Sequence, residues 1–247
     1  MIPLKSKDDL RMLKKSGKIV AGVLRALCDF VKVGVSTKEL DLLALELVQK
    51  ENAEPAFLGY KGFPASICTS INEEIVHGIP GSRRLQDGDI LSLDLGVNYE
   101  GYFSDSAITI ALSRADSSKR KLIEVTEAAL SEGIKKAYPE NHISDISYAI
   151  QNYVEKNGFS VVRQFVGHGI GKKLHEEPEI PNFGLPHQGA LIRSGMVLAI
   201  EPMVNLGTWE AEILDNGWTA VTKDRLASAH FEHTVAVTER GPEILTQ

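Results

Sequence analysis

Residues 91–110 read LSLDLGVNYEGYFSDSAITI and contain the pattern that decides the fold. The odd-numbered positions from 91 to 97 are all apolar and alternate with small or polar residues. Such alternation predicts a strand with one apolar face. The polar turn NYEG then reverses the chain, and a second strand follows. The stretch therefore predicts an antiparallel hairpin.

Each strand of this hairpin carries one acid, Asp94 in the first and Asp105 in the second. If residues 99 and 100 form a two-residue loop, Asp94 lies directly opposite Asp105; a longer loop shifts this register. Two carboxylates about 4 Å apart repel by about 4 kcal/mol at an effective dielectric of 20. The pair therefore predicts a protonated acid or a bound cation, although two acids on a solvated strand face are the simpler interpretation of the hairpin alone.

The first strand has an echo later in the chain. Residues 85–94 read LQDGDILSLD and residues 192–201 read IRSGMVLAIE, which aligns Asp94 with Glu201. In each copy a serine-capped amphipathic helix and a His-Gly-Ile triplet come before, and a second acid comes after. These features are the helix starts Ser36 and Ser144, the triplets 77–79 and 168–170, and the acids Asp105 and Glu232. Unless the match is coincidental, the chain contains two copies of one α–β unit with a shared site between them.

The fold class predicted from these elements is α/β, with helices and a largely antiparallel sheet. Ser6-x-x-Asp9 and Ser36-x-x-Glu39 resemble capping boxes that open two amphipathic helices. The predicted helices are 6–31, 36–52, 118–137 and 144–157, and the clearest strands are 66–72, 89–97, 101–111 and 233–238. We predict a single domain over residues 1–247, made of halves at about 1–112 and 113–247.

Composition excludes several classes of function. A net charge of −6 argues against a protein that binds nucleic acid through bulk charge. Two cysteines, Cys28 and Cys68, are too few for a disulfide framework and are consistent with a reducing, cytoplasmic location. The N-terminal region lacks the apolar segment of a signal peptide, and no window approaches 18 uninterrupted apolar residues. We therefore expect a cytoplasmic protein without a membrane span.

The second half adds further donor groups. Glu201 ends the apolar strand MVLAIE, Glu232 lies in FEHTV, and His168 is surrounded by glycines in GHGIG, where the backbone could approach a ligand closely. Together with Asp94 and Asp105 these residues give four carboxylates and one imidazole. An oxygen-rich set with one nitrogen and no thiolate is typical of a site for two divalent metals.

Five motifs, in order and spacing, resemble those of the type I methionine aminopeptidases of metallopeptidase family M24. They are SINEEIVHGIP, DLGVNYEGYFSD, FVGHGIGKKLHEEP, IEPMV and FEHTV, and the resemblance covers nearly the whole chain. It implies the "pita-bread" fold, whose halves are related by pseudo-twofold symmetry. It also implies an aminopeptidase that removes the N-terminal methionine of new proteins when the next residue is small.

The resemblance also assigns roles to residues. Asp105 and Glu232 would bridge two metals, Asp94 would bind the metal nearer the substrate amine, and His168 with Glu201 would bind the other. A hydroxide bridging the metals would attack the first peptide carbonyl, with Glu201 relaying the proton, while His77 and His175 contact the substrate. The methionine pocket would be lined by Phe57, Tyr60, Phe63, Cys68, His77, Leu174 and Trp218.

Some features stay open at this stage. The ligands suit cobalt, manganese, iron or zinc. The expected partners are nascent polypeptide N-termini, with a monomer as the expected state. A cluster at Lys14, Lys15 and Lys18 could contact a ribosome, although a solvated helix face is favoured. No role is assigned to His142, His187 or His230.

Two other functions compete with this interpretation. Proline-specific peptidases share the fold but usually carry an N-terminal domain that is not found here, and a binding or scaffold protein would be expected to have lost some ligands. The chain has no HExxH, GxSxG or GxxxxGK[ST] motif. A metallopeptidase is therefore the favoured function.

Overall fold

The computed structural model describes residues 2–247, and this part of the chain contains four α-helices, fifteen strands and a short 3-10 turn at Tyr60–Gly62. The helices are α1 (Lys7–Phe30), α2 (Thr37–Lys50), α3 (Ser117–Ile134) and α4 (Ile143–Lys156). The strands are β1 (Glu54–Pro55), β2 (Cys68–Ile71), β3 (Glu74–Val76), β4 (Ile90–Tyr99), β5 (Tyr102–Ala111), β6 (Ser160–Val161), β7 (Val166–Gly169), β8 (Glu176–Pro181), β9 (Val197–Ile200), β10 (Met203–Asn205), β11 (Ala211–Ile213), β12 (Ala220–Thr222), β13 (Ser228–His230), β14 (Glu232–Thr238) and β15 (Gly241–Ile244).

Two of the three predicted helix N-caps are confirmed, and the third is wrong. Ser6 and Ser36 cap α1 and α2 through the capping boxes expected from the sequence. The start predicted at Ser144 is wrong, because α4 begins one residue earlier and its N-cap is His142. The backbone N–H of His142 donates to Asp145 at 2.7 Å, whereas the Ser144 hydroxyl accepts from Gln188.

The main sheet is antiparallel throughout and has nine strands in the described residues, in the order β1-β4-β5-β14-β9-β7-β8, with β2 also pairing with β4 and β15 with β14. The central pairing, β5 with β14, joins the first hairpin to the second half of the chain. Two three-stranded sheets, β13-β10-β6 and β11-β12-β3, complete the fold.

The predicted hairpin is confirmed, but its predicted register is wrong. Tyr99 pairs with Tyr102, so the two-residue turn is Glu100-Gly101. Both turn residues have positive φ, 51° and 80°, as a tight turn that matches the strand twist requires. Asp94 consequently pairs with Ala107 and Asp105 pairs with Gly96. The two acids are diagonal neighbours on one face, where the typical spacing is about 7–8 Å.

The helices cover one face of the main sheet. Leu91, Leu93, Leu95 and Val97 of β4 are fully buried in a cluster with the apolar residues of α1 and α2. A second cluster joins α3 and α4 to Val235 and the strands of the second half. Because side chains alternate along a strand, the acids of β4 and β5 point away from this helical layer.

The internal echo is also visible in the backbone. The residue before α2 and the residue before α4 each form an isolated bridge, Ser36 with Arg84 and His142 with Leu191. Gly88 and Gly195, at matching positions of the two copies, have φ of 90° and 93°. The mixed α/β fold with helices outside a curved antiparallel sheet is confirmed. The boundary near residue 112 stays a prediction. No helix among residues 2–247 is long and apolar enough to cross a membrane.

Two glycines of α1 should respond to alanine in opposite ways. A Cβ at Gly17 would lie 2.4 Å from the carbonyl oxygen of Leu245, whereas a Cβ at Gly22 would meet nothing within 4 Å. Both substitutions favour the helix by up to about 1 kcal/mol, but only the first forces backbone apart, which costs about 1–3 kcal/mol. We expect Gly22→Ala to raise the free energy of unfolding in urea and Gly17→Ala to lower it. Equal effects would contradict the close packing of α1 on the C-terminal segment.

Candidate metal centre and peptide pocket

Strand register places the predicted metal-binding acids on one face of the main sheet. Ala107 of β5 pairs with Asp94 on one side and with Glu232 on the other. Directly paired residues share a face, so these three side chains form a row across β4, β5 and β14. Asp105 lies two residues before Ala107 and therefore on the same face. The small side chain of Ala107 leaves space between the carboxylates.

The second half supplies the remaining donors to this face. His168 of β7 and Thr234 of β14 both pair with Ala199 of β9, so the three share a face. Thr234 lies two residues after Glu232, which puts His168 on the side of the acids. Glu201 follows β9 directly and lines the same cavity. All five residues predicted as metal ligands therefore converge.

The distances describe a tight centre. His168 Nε2 lies 3.5 Å from Asp105 Oδ2 and 3.6 Å from Glu201 Oε1. Ligand atoms of Asp105, His168 and Glu232 all lie within 4.8 Å of one another. Asp94 has a buried oxygen, Oδ1, without a hydrogen-bond partner. The side chains of Asp94, Asp105, His168 and Glu232 are buried, so this charge is largely shielded from water.

Burial and mutual repulsion disturb the proton equilibria here. Burial, reinforced by the charges of Asp105 and Glu201, raises the pKa of Asp94 to about 7. Burial and the charges of Asp105 and Glu201 likewise raise the pKa of Glu232 well above its ordinary value. Burial lowers the pKa of His168, but the hydrogen bond and charge of Asp105 outweigh it and raise that pKa to about 9. The protein without a cation therefore favours protonated forms in this cluster.

The residues fit a site for divalent cations. Carboxylates and one imidazole are suitable donors for first-row metals, and the unpartnered oxygen of Asp94 lacks only a ligand. A bound cation would remove the repulsion that raises the carboxylate pKa values. Cys68 faces Asp94 from β2, but burial raises the pKa of its thiol well above the ordinary value. The site therefore presents oxygen and nitrogen rather than thiolate.

An apolar cavity lies directly over this centre. Phe63 packs edge-on against Trp218 at 5.2 Å between ring centroids, and Leu174 is 3% exposed. The structure brings every residue predicted for the methionine pocket into the cavity lining together with the five acid and imidazole donors, namely Phe57, Tyr60, Phe63, Cys68, His77, Leu174 and Trp218. Lys61 also lines it and was not predicted.

Two further histidines reach the same cavity. His175 stacks on Tyr60 at 5.3 Å and lies 4.1 Å from the ring of His168. His77 lies edge-on to Phe165 and Trp218. Burial lowers the pKa of both His77 and His175 to about 4, with help from a neighbouring imidazole in each case. Both are therefore neutral near pH 7, and each can donate one hydrogen bond without carrying a charge.

The glycines around His168 lie in close contact with neighbouring strands. A Cβ at Gly167 would lie 2.4 Å from the carbonyl oxygen of Ala199, and one at Gly169 would lie 2.1 Å from that of Glu177. The contacts are made by the neighbouring strands β9 and β8. The glycines thus allow close strand packing on both sides of His168, and the close approach of this backbone to a ligand stays a prediction.

The three histidines without an assigned role have different surroundings. His142 and His187 both lie near the carboxylate of Asp145, which accepts their backbone N–H groups at the start of α4. His230 is buried, and its Nε2 lies 3.6 Å from Glu201 Oε2. It lies two residues before Glu232, so the alternation of the run HFEH was the signal that could have placed it on this face.

The pKa of Asp94 leads to a test on metal-free protein. The folded state holds a proton on Asp94 up to about pH 7, whereas the unfolded chain releases it near 3.8. Its contribution to stability is therefore full below the lower value and is lost as pH rises through the higher one. In urea unfolding with chelator, we expect wild type to lose about 1 kcal/mol per pH unit relative to Asp94→Asn between pH 5 and 7. Parallel pH profiles would contradict this assignment.

Known proteins resemble this chain in sequence and in fold. Residues 11–239 match metallopeptidase family M24. The chain is 52% identical over 246 residues to a methionine aminopeptidase of Clostridium perfringens, with 100% of this chain and 99% of the relative covered. It is 50% identical over 247 residues to methionine aminopeptidase 1 of Bacillus subtilis, with 100% of both covered. A crystal structure of methionine aminopeptidase from Thermotoga maritima matches it with a TM-score of 0.99 at 43% identity, covering 100% of both chains, which confirms the pita-bread fold. This chain therefore belongs to metallopeptidase family M24.

Proposed function

We propose that this protein is an aminopeptidase that removes the N-terminal methionine from newly made proteins when the next residue is small. The observation that carries the proposal is the convergence of four carboxylates and one imidazole beneath an aromatic pocket. The full-length similarity to methionine aminopeptidases supports the same activity.

The proposed cofactor is a pair of divalent ions, cobalt, manganese, iron or zinc. Asp105 and Glu232 would contribute to holding both ions, since their ligand atoms and that of His168 all lie within 4.8 Å of one another. His168 and Glu201, which are 3.6 Å apart, would bind one ion, and Asp94, across Ala107 from Glu232, would bind the other. Bound ions of this kind lower the pKa of a water and polarise a peptide carbonyl.

The proposed position of the substrate follows from the pairing of β2 with β4. Cys68 in the pocket wall pairs directly with Asp94 in the acid cluster. A methionine side chain held by Phe63 and Trp218 would thus bring its own α-amine towards Asp94. Aromatic edges and buried apolar area favour an unbranched thioether. A free α-amine bound on the Asp94 side of the centre would explain a preference for chain ends.

The proposed proton transfers and hydrogen bonds use three residues. Glu201 reaches the cluster between two imidazoles and would accept and return the proton of the attacking water. His175, neutral and exposed beside the ring of His168, would donate to the peptide oxygen as charge develops on it. His77, held against Trp218, would position the methionyl residue.

The proposed setting is the cytoplasm, where the enzyme would act as a monomer on nascent N-termini. Lys14 forms an ion pair with Glu243, and Lys15 lies over the ring of Tyr99 at 5.8 Å. These local partners favour a solvated helix face over a ribosome contact at this cluster.

Peptide assays test the activity. We expect rapid release of methionine from Met-Ala-Ser and no comparable cleavage of an Xaa-Pro peptide, because the pocket is shaped for the side chain of the first residue. A chelator should abolish the activity, and divalent metal should restore it. Preferential cleavage of the Xaa-Pro peptide would show a proline-specific peptidase, and no metal-dependent cleavage of either would favour a binding protein.

The role of His175 is tested by substitution. His175→Ala should lower kcat by about 10²–10³-fold, as expected for loss of a donor to a developing oxyanion, while metal content by elemental analysis stays unchanged. His187→Ala, on the surface beside Asp145, is the matched control and should leave kcat unchanged. An equal loss of metal and activity in His175→Ala would assign His175 to metal binding instead.

A further inference from the structure

His230 is a buried imidazole whose ring is not satisfied by the surrounding protein. The residue is 1% exposed, and neither ring nitrogen has a hydrogen-bond partner. Its backbone is well anchored, since its N–H donates to the hydroxyl of Thr109 at 2.9 Å and its carbonyl accepts from the same hydroxyl at 2.7 Å. The strand therefore fixes the position of the imidazole, but no hydrogen bond compensates for the burial of its two nitrogens.

Packing alone does not explain a histidine here. A buried polar atom without a partner destabilises the folded state, whereas an apolar side chain of similar shape carries no such cost. Such buried unpartnered groups in native proteins call for a separate explanation. The explanation must come from a state in which the ring has a partner.

Glu201 is the nearest candidate for that partner. Nε2 of His230 lies 3.6 Å from Glu201 Oε2, just beyond hydrogen-bond length. The other oxygen, Oε1, lies 3.6 Å from His168 Nε2. The carboxylate of Glu201 therefore lies between two imidazoles, one on each oxygen. Its backbone carbonyl is held by the side-chain amide of Asn182 at 3.1 Å.

We infer that His230 is a positioning residue for Glu201, donating from Nε2 to Oε2 so that Oε1 stays turned towards His168 and the cation. A shift of about half an ångström closes the hydrogen bond. Groups that orient a metal-binding carboxylate in this way tune both its direction and its basicity. The inference rests on the proposed function, because it assigns Glu201 to the metal centre.

The decisive comparison is between His230→Leu and His230→Gln. Leucine fills the space without a donor, and glutamine restores an N–H at a similar reach. We expect His230→Leu to weaken binding of Mn²⁺ or Co²⁺, measured by calorimetry, by about 10–100-fold. Its kcat for Met-Ala-Ser should fall with little change in KM. His230→Gln should recover metal affinity to within about 3-fold of wild type.

Stability of the metal-free protein separates this role from a structural one. Since the ring nitrogens have no partner, we expect the Tm of His230→Leu in chelator to equal or exceed that of wild type. His233→Leu is the matched control, because His233 is a half-buried imidazole whose Nδ1 is hydrogen-bonded to Thr246 at 2.9 Å. It should lower Tm and leave metal affinity within about 3-fold.

Two results would overturn the inference. One is unchanged metal affinity in His230→Leu, whatever the Tm of the metal-free variant. The other is a metal-loaded crystal structure with His230 Nε2 within about 2.1 Å of the ion, which would make it a ligand. If wild type fails to release methionine but the metal titrations behave as expected, the proposed function fails and the role of His230 stands.

Discussion

The structure depends on holding like charges together on one face of a sheet. Asp94, Asp105 and Glu232 are buried and close enough that repulsion and burial raise the pKa of Asp94 and of Glu232. Folding must therefore work against this electrostatic cost until cations arrive. The apolar layers under α1, α2, α3 and α4 supply the opposing free energy on the other face of the same strands. The site and the core therefore lie on opposite faces of the same strands.

The predicted duplication would explain how such a site can be built. The bridges before α2 and α4 and the matching turns at Gly88 and Gly195 give each half the same entry into its central strand. Pairing of β5 with β14 then sets the halves side by side. Asp94 and Glu201, the acids at matching positions of the two halves, both line one cavity.

The sequence predicted on which face of the sheet a residue lies better than it predicted the cross-strand partner of that residue. Alternation placed Asp94 and Asp105 on one side, and that survived a wrong register because the shift moved the pairing by an even number of residues. The register itself depended on positive φ at Glu100 and Gly101, which polar turn letters do not specify. The start of α4 depends on a hydrogen bond from the backbone N–H of His142 to Asp145. A prediction based on the type of the capping side chain does not detect this interaction. The same alternation could have placed His230 on this face. Its proximity to Glu201, which suggests a role for it, is known only from the structure.

The protein itself holds part of this centre in place through hydrogen bonds. Thr234 accepts from the backbone N–H of Asp105 at 3.1 Å and donates to its carbonyl at 2.8 Å, with the Asp105 carboxylate 3.2 Å away. These contacts fix Asp105 from the adjacent strand. Asp94 Oδ1 and both nitrogens of His230 remain without partners in the same region. The backbone hydrogen bonds between strands therefore hold the framework in place. The atoms without hydrogen-bond partners lie where a cation or one of its ligands can interact with them. Preorganised donors of this kind strengthen binding because little ordering is left to occur when the ligand arrives.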